Sequence, residues 1–288
     1  MIGNDIGLVL CGGGVYGAVL LGALDANKVH QKNIRMIAGT SSGAIIGTLL
    51  CVGYTPREIL DVLMDNLPSI STDSIDISRL FKSYGLYSND RLINVISSMI
   101  ERKTMGVLPT FVELYDLFKR DLIITGTNVS TQNVAYFDRF TSPHMSVMDA
   151  LKISTCIPFV FPYVEHEGQV FVDGGLTDNL PIEYANRYAD KYLTGVPVHA
   201  LNLRYTYTIE PTTLLNFVIC IMKIFSNNGL PESLEQSGFV HTLQVDVICP
   251  LTTTDADEVS TLFQRGLVYT NLFKTQETVE GTPTAESA

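Results

Sequence analysis

A serine between two glycines is the first feature of this sequence that could do chemistry. The segment Gly39-Thr40-Ser41-Ser42-Gly43 follows the apolar run 34–38 and precedes the small, apolar stretch 44–52. Flanking glycines permit the sharp strand-to-helix turn that lifts a nucleophilic hydroxyl above a sheet. The start of the following helix would also favour a developing negative charge. The pattern predicts Ser41 as a nucleophile, and the alternative is a turn in which Ser41 or Ser42 caps the helix.

A run of glycines stands at the same kind of junction after the first apolar run, 6–11. Gly12-Gly13-Gly14-Val15-Tyr16-Gly17 opens a helix-like spacing of apolar residues, and consecutive glycines can turn several backbone amides toward one point. Such amides could stabilise the oxyanion of ester hydrolysis. The glycine spacing also fits a dinucleotide-binding loop, but that fold needs an acidic residue about 20 positions on. No Asp or Glu lies between Ala26 and Val52, so the nucleotide alternative is weaker.

The serine needs a base from elsewhere in the chain. The five histidines share no motif: His30, His144, His166, His199 and His241. A Ser-His-Asp arrangement stays open, because triads are defined by geometry rather than by spacing. Asp173 is the stronger candidate, because it ends the strand-like run 170–172 and is followed by Gly174-Gly175. A strand end is where sites in open α/β sheets form, although an Asp-Gly turn without function is the alternative.

The elements that must position these residues alternate along the chain. Besides the strands 6–11 and 34–38, strands are predicted at 122–125, 134–140, 170–172, 198–203 and 243–248. Helices are predicted at 17–26, 44–52, 58–66, 111–119 and 147–154. Strands that alternate with helices in this way indicate an α/β fold with a mainly parallel sheet. We expect one domain over residues 1–274, followed by a polar, acidic and disordered tail over 275–288.

Charge and hydropathy exclude several classes of function. The net charge of −11 repels a polyanion, so nucleic acid is not an expected partner. The five scattered cysteines lack the paired spacing of a zinc site or a disulfide framework. There is no basic region ahead of an apolar run at the N-terminus, and the longest apolar run, 214–225, falls short of the roughly 20 residues that span a bilayer. We therefore expect a cytoplasmic or peripheral membrane protein, and the oligomeric state stays open.

Three segments together resemble the patatin-like phospholipase family in order and approximate spacing. They are the glycine loop (12–17), the serine elbow (39–43) and Asp173-Gly174-Gly175. The stretch 146–162 and Asp178-Asn179-Leu180-Pro181 look like that family as well, and the likeness covers roughly residues 6 to 200. One position departs from the family, which commonly carries Arg or Lys where this sequence has Tyr16.

The resemblance implies a three-layer α/β/α sandwich and a Ser-Asp dyad that works without cofactor or metal. Ser41 would attack a lipid ester, Asp173 would accept its proton, and the amides of Gly12, Gly13 and Gly14 would hold the oxyanion. The motif glycines would be Gly39, Gly43, Gly174 and Gly175. The implied substrates are glycerophospholipids, lysophospholipids or neutral acylglycerols at a membrane or micelle surface. An acyltransferase that uses the same serine and a catalytically silent lipid-binding module are the alternatives.

Overall fold

Strands and helices alternate along the chain. The computed structural model describes residues 5–29, 33–70, 77–205, 239–246 and 255–273, together with positions 217, 220, 221 and 224. The strands are β1 (Asp5–Leu10), β2 (Asn33–Thr40), β3 (Asp121–Asn128), β4 (Asn133–Phe137), β5 (Val164–His166), β6 (Gln169–Asp173), β7 (Val198–Tyr205) and β8 (Val240–Val245). The helices are α1 (Gly17–Ala26), α2 (Ser42–Cys51), α3 (Pro56–Ile70), α4 (Ile77–Ser83), α5 (Asp90–Lys103), α6 (Phe111–Phe118), α7 (Val147–Ser154), α8 (Ile182–Tyr192) and α9 (Ala256–Gly266).

The sheet has a parallel centre and antiparallel additions. Its strands follow the hydrogen-bonded order β5-β6-β3-β2-β1-β7-β8, and β4 also pairs with β3. The strands from β3 to β8 along this path run parallel, whereas β4, β5 and β6 join by antiparallel pairs. Parallel strands buried on both faces read as continuous apolar runs, which explains why β1 is apolar along almost its whole length.

Helices cover both faces of the sheet. On one face, Leu8 and Leu10 of β1 belong to a core shared with α1, α2 and α9. On the other face, Val9 packs in a second core with Ile182 and Tyr188 of α8. The alternation along β1 follows from the two-residue period of a strand. This arrangement confirms the predicted α/β class with helices on either side of a mainly parallel sheet.

Two helices begin with a reciprocal capping pair. The amide of Glu58 donates to Thr55 Oγ1 at 3.2 Å, and the amide of Thr55 donates to Glu58 Oε2 at 2.7 Å. Thr110 and Glu113 make the same reciprocal pair at the start of α6. Each pair satisfies two backbone donors that a helix start would otherwise leave free.

Two predicted strand boundaries are wrong. The strand predicted over 134–140 ends at Phe137, because Asp138 Oδ1 accepts the amides of Phe140 (2.7 Å) and Thr141 (3.0 Å) and turns the chain out of the sheet. The strand predicted over 243–248 begins earlier, at Val240, where it pairs with Ala200 of β7.

Several predictions fall where the structure gives little or no description. The tail 275–288 and residues 247–248 lie outside the described residues, as does His30. Of the apolar run 214–225 only positions 217, 220, 221 and 224 are described, and these are helical. Among the helices that are described, none has both the length and the apolar character needed to cross a membrane.

Candidate active site

Ser41 stands at a sharp turn between β2 and α2. Its backbone has φ 53° and ψ −123°, a conformation that L residues rarely adopt. A Cβ on Gly39 would come within 2.6 Å of Gly43 O, and a Cβ on Gly43 would collide with Leu10 O of β1. Both glycines are therefore required by close backbone approach. Ser41 makes no side-chain capping bond to α2, so the alternative in which Ser41 caps the helix does not hold.

The hydroxyl of Ser41 is bonded to the carboxylate of Asp173. Ser41 Oγ donates to Asp173 Oδ2 at 2.7 Å, and the amide of Gly175 donates to Asp173 Oδ1 at 2.7 Å. Both side chains are buried, with 8% of Ser41 and 3% of Asp173 exposed. The structure thus brings together the two residues that sequence analysis singled out, with both carboxylate oxygens occupied and aligned.

Sheet register explains why residues 132 positions apart meet. Thr40, the last residue of β2, pairs with Thr125 of β3, and Asp173, the last residue of β6, pairs with the next residue, Gly126. β4 pairs with β3 over 124–128, which overlaps both the part paired with β2 and the part paired with β6. Since β4 occupies one edge of β3, β2 and β6 share the other edge and meet end to end. Adjacent residues of β3, Thr125 and Gly126, therefore fix the positions of Thr40, which precedes Ser41, and of Asp173.

Burial changes the acidity of Asp173. Loss of solvent raises the pKa of its carboxyl from 3.8 to about 7, although the hydrogen bonds from Ser41 and Gly175 act in the opposite direction. Desolvation dominates because the ionised carboxylate loses more solvation free energy on burial than the two hydrogen bonds contribute. A carboxylate with such a pKa is a stronger base toward a hydroxyl than a solvated one.

The glycine loop lies against the segments that follow Ser41 and Asp173, and two of its amides already donate hydrogen bonds. The amide of Gly12 donates to Asn179 O at 3.2 Å, and the amide of Gly13 donates to Ser42 Oγ at 3.0 Å. The amide of Gly14, at φ 57°, makes no hydrogen bond to any described residue. A Cβ on Gly12 would meet Ser41 Cβ at 3.0 Å, so the loop passes directly beside the serine.

Two polar residues at the site were noted in the sequence only as parts of a family likeness. Asn179 Nδ2 donates to Gly12 O at 3.1 Å, and Asn179 O accepts the amide of Gly12, so two hydrogen bonds join this residue to the loop. Ser154 Oγ accepts the amide of Ser41 at 2.9 Å. Both are contacts between a side chain and a distant backbone, for which the sequence offers no local pattern.

Tyr16 lies in the hydrophobic core. It is fully buried, and its ring meets that of Tyr205 edge-on at a centroid distance of 5.3 Å. The departure from the family's basic residue therefore places an aromatic ring in the core beneath the glycine loop.

No histidine is among the hydrogen-bond partners of Ser41 or Asp173 in the described part of the chain. His199 Nδ1 and His241 Nε2 lie 3.3 Å apart on β7 and β8. The same described residues contain no group of three or more His, Cys, Asp or Glu side chains arranged to hold a metal ion.

Known proteins share this sequence pattern and this fold. A family model described as Patatin-like phospholipase matches residues 8–186. The chain is 33% identical over 186 residues to "Probable lipid hydrolase 463L" of Invertebrate iridescent virus 6, covering 64% of each chain. It is 33% identical over 189 residues to "Uncharacterized protein R571" of Acanthamoeba polyphaga mimivirus, covering 64% of this chain and 62% of that one. The chain thus spans just under two thirds of the length of these relatives.

A solved structure has a related fold. VipD from Legionella pneumophila superposes with a TM-score of 0.53 at 15% identity, covering 92% of this chain and 65% of that chain. At this identity the likeness concerns the fold alone.

Proposed function

Because the chain belongs to the patatin-like phospholipase family, we propose that it hydrolyses carboxylic ester bonds of lipids, with Ser41 as nucleophile and Asp173 as base. The observation that carries the proposal is the 2.7 Å hydrogen bond from Ser41 Oγ to Asp173 Oδ2 at a strained elbow. A nucleophile bonded to its base, on a backbone held by its neighbours, is the arrangement that covalent catalysis requires.

In the acylation step, Ser41 Oγ attacks the ester carbonyl carbon while its proton moves to Asp173 Oδ2. The carbonyl electron pair moves to the oxygen and forms a tetrahedral oxyanion. When the oxyanion collapses, the bond to the alcohol breaks, and the leaving alcohol takes the proton from Asp173. The raised pKa of Asp173, about 7, suits both tasks, because such a group accepts and returns a proton near neutral pH.

In the deacylation step, water replaces the alcohol. Asp173 accepts a proton from the attacking water, whose oxygen bonds to the acyl carbon. The second tetrahedral oxyanion collapses and releases a fatty acid, and Ser41 Oγ regains the proton. This sequence of steps leaves the enzyme unchanged and consumes one water for each ester.

The oxyanion needs donors that are free to receive it. Gly14 offers a backbone amide without a partner among the described residues. Gly13 becomes a second donor when the hydroxyl of Ser42 turns away from it, whereas the amide of Gly12 stays engaged by Asn179. Of the three amides named from the sequence, we therefore assign the oxyanion to Gly13 and Gly14, where each donor is worth roughly 2.7 to 4 kcal/mol in comparable enzymes.

We further propose that the substrates are phospholipids or lysophospholipids, in keeping with the family description. The test compares wild type, Ser41→Ala and Asp173→Asn on a p-nitrophenyl acyl ester and on a panel of phospholipids and acylglycerols. Both substitutions should lower kcat by on the order of 10⁴-fold. Ser98→Ala is the matched control, because Ser98 is an exposed serine that donates only to Asn94 O within α5.

Each alternative has its own result. Full activity in Ser41→Ala removes the nucleophile assignment. Loss with Ser41→Ala but not with Asp173→Asn keeps the hydrolase and removes the dyad. Transfer of the acyl group to an added alcohol in preference to water favours an acyltransferase, and no turnover by wild type favours a silent lipid-binding module.

A further inference from the structure

Two exposed aromatic residues stand side by side in left-handed backbone conformations. Tyr84 has φ 57° and is 61% exposed, and Phe159 has φ 65° and is 52% exposed. Their segments pair directly, since Gly85 bridges to Phe159 and the amide of Leu86 donates to Phe159 O at 3.1 Å. Bulky residues rarely adopt such backbone conformations. Such conformations persist only where the surroundings impose them, so the paired backbone holds both residues in place.

A third aromatic residue extends this surface. Phe81, 79% exposed, lies in the last turn of α4, three residues before Tyr84. The ring of Tyr84 contacts that of Tyr163, with centroids 5.8 Å apart. We call Phe81, Tyr84 and Phe159 the aromatic patch. Its members hold large apolar rings in solvent on a support fixed by backbone hydrogen bonds.

The aromatic patch lies near the catalytic pair. Cys156 O accepts the amide of Asp173 at 3.0 Å, and Phe159 follows Cys156 by three residues. Three residues span at most about 11 Å, so the Cα of Phe159 lies within that distance of the Cα of Cys156. A short piece of chain therefore connects the patch to the proposed base.

A polar cavity of about 310 Å³ adjoins the aromatic patch. Ser83, which precedes Tyr84, and Tyr163, which contacts it, both line the cavity. Lys152 and Asp90 also line it, and Lys152 Nζ pairs in addition with Asp149 Oδ1 at 3.0 Å, so that residues of both charge signs border the same space. A cavity with charges of both signs complements a dipolar group better than it complements a simple anion.

We propose that the aromatic patch inserts into a lipid surface with zwitterionic headgroups and thereby brings the catalytic pair to its substrate. The inference rests on the proposed function, because the ester bonds of lipids lie in such surfaces. Aromatic rings favour the boundary between headgroups and acyl chains. The net charge of −11 opposes attraction to an anionic membrane, so insertion of uncharged rings has to supply the binding.

The test measures binding without turnover. The Ser41→Ala protein is sedimented with phosphatidylcholine vesicles, with and without the added pair Tyr84→Asn and Phe159→Asn. Asn removes each ring and still tolerates the left-handed backbone. Insertion of ~60 Å² of each ring corresponds to roughly tenfold in the partition coefficient, so the pair should weaken binding by on the order of 100-fold.

Met105→Asn is the matched control. Met105 is also apolar, 90% exposed and left-handed, with φ 56°. It follows the end of α5, where Lys103 Nζ lies 4.5 Å from the ring centroid of Tyr54, just beyond the C-terminus of α2. Ser41 lies at the N-terminus of α2, which is ten residues or roughly 15 Å long. Met105 is therefore near the end of α2 that is farther from Ser41. The control substitution should change vesicle binding by less than twofold.

The outcomes separate this inference from the proposed function. Equal vesicle binding with and without the pair of substitutions overturns the patch assignment, as does an equal loss in Met105→Asn. A dimer that the pair abolishes, without any vesicle binding by the parent, overturns it in favour of a second copy of this chain. If wild type hydrolyses no ester while the patch still mediates vesicle binding, the proposed function is wrong, but the inference that the patch binds a lipid surface is retained. In the active enzyme, the pair should lower the ratio of vesicle turnover to soluble-ester turnover at least tenfold.

Discussion

Replacing Asp173 by Asn should abolish turnover and at the same time stabilise the protein at alkaline pH. The carboxyl of Asp173 is buried, and its pKa rises from 3.8 to about 7 on folding. Because the folded pKa lies above the unfolded value, the folded state binds more protons between these two pH values. The contribution of Asp173 to stability is therefore present at low pH and is lost as pH rises through about 7.

The size of this effect follows from the shift. At about 1.4 kcal/mol for each pKa unit, ionising the buried carboxylate costs roughly 4 kcal/mol, of which roughly 3 kcal/mol falls between pH 5 and pH 8. Asn has a similar shape, can still accept the amide of Gly175 and does not ionise. The free energy of unfolding of Asp173→Asn, measured relative to wild type, should therefore rise by roughly 3 kcal/mol from pH 5 to pH 8.

Urea unfolding of both proteins at the two pH values measures this difference directly. Asp116→Asn serves as the control, because Asp116 is exposed on α6 and its substitution removes no buried charge. In parallel, kcat/KM of wild type should rise with pH through about 7, since only the ionised carboxylate accepts the proton of Ser41. A stability difference that stays constant within 1 kcal/mol between pH 5 and pH 8 would refute the reasoning.

Two further substitutions test the elbow. Gly43→Ala places a Cβ against Leu10 O, so the free energy of unfolding measured in urea should fall by about 1–3 kcal/mol; an unchanged value would show that the turn relaxes freely. Ser154→Ala removes the acceptor of the Ser41 amide, so kcat should fall roughly tenfold at similar KM. Ser154→Thr, which keeps the hydroxyl, should recover most of that loss, and equal losses in both variants would contradict a positioning role.

The features that could be predicted from the sequence are those that depend on local backbone geometry. The turn around Ser41 needs glycines at fixed offsets because a side chain there would strike neighbouring backbone, and this requirement leaves a readable spacing. The apolar runs of the parallel strands follow from burial on both faces. Asp173 could be singled out from the sequence because it ends the short apolar run 170–172 of the antiparallel strand β6 and is followed by glycine.

Features that depend on contacts between distant segments could not be predicted in the same way. Asn179 meets Gly12 across 167 positions, and Ser154 meets Ser41 across 113. Nothing in the local sequence of either residue distinguishes these contacts from an ordinary surface hydrogen bond. The short strand β5 was not predicted, for a different reason. Its three residues are too few for a periodic pattern, and only the turn at Glu167 and Gly168, both with positive φ, marks the hairpin.

The sheet gives a physical reason why the proposed catalytic group would be a dyad and not a triad. β2 and β6 end against each other on one edge of β3, so that Ser41 and Asp173 are placed by hydrogen-bonded strands and need no third residue to orient the base. The same junction buries the carboxylate, and burial raises its pKa toward that of a histidine. In the proposed mechanism, Asp173 would therefore take the part of general base that an imidazole takes in a triad. The cost is an ionised group in the core, which is why catalysis and stability should respond to pH in opposite directions.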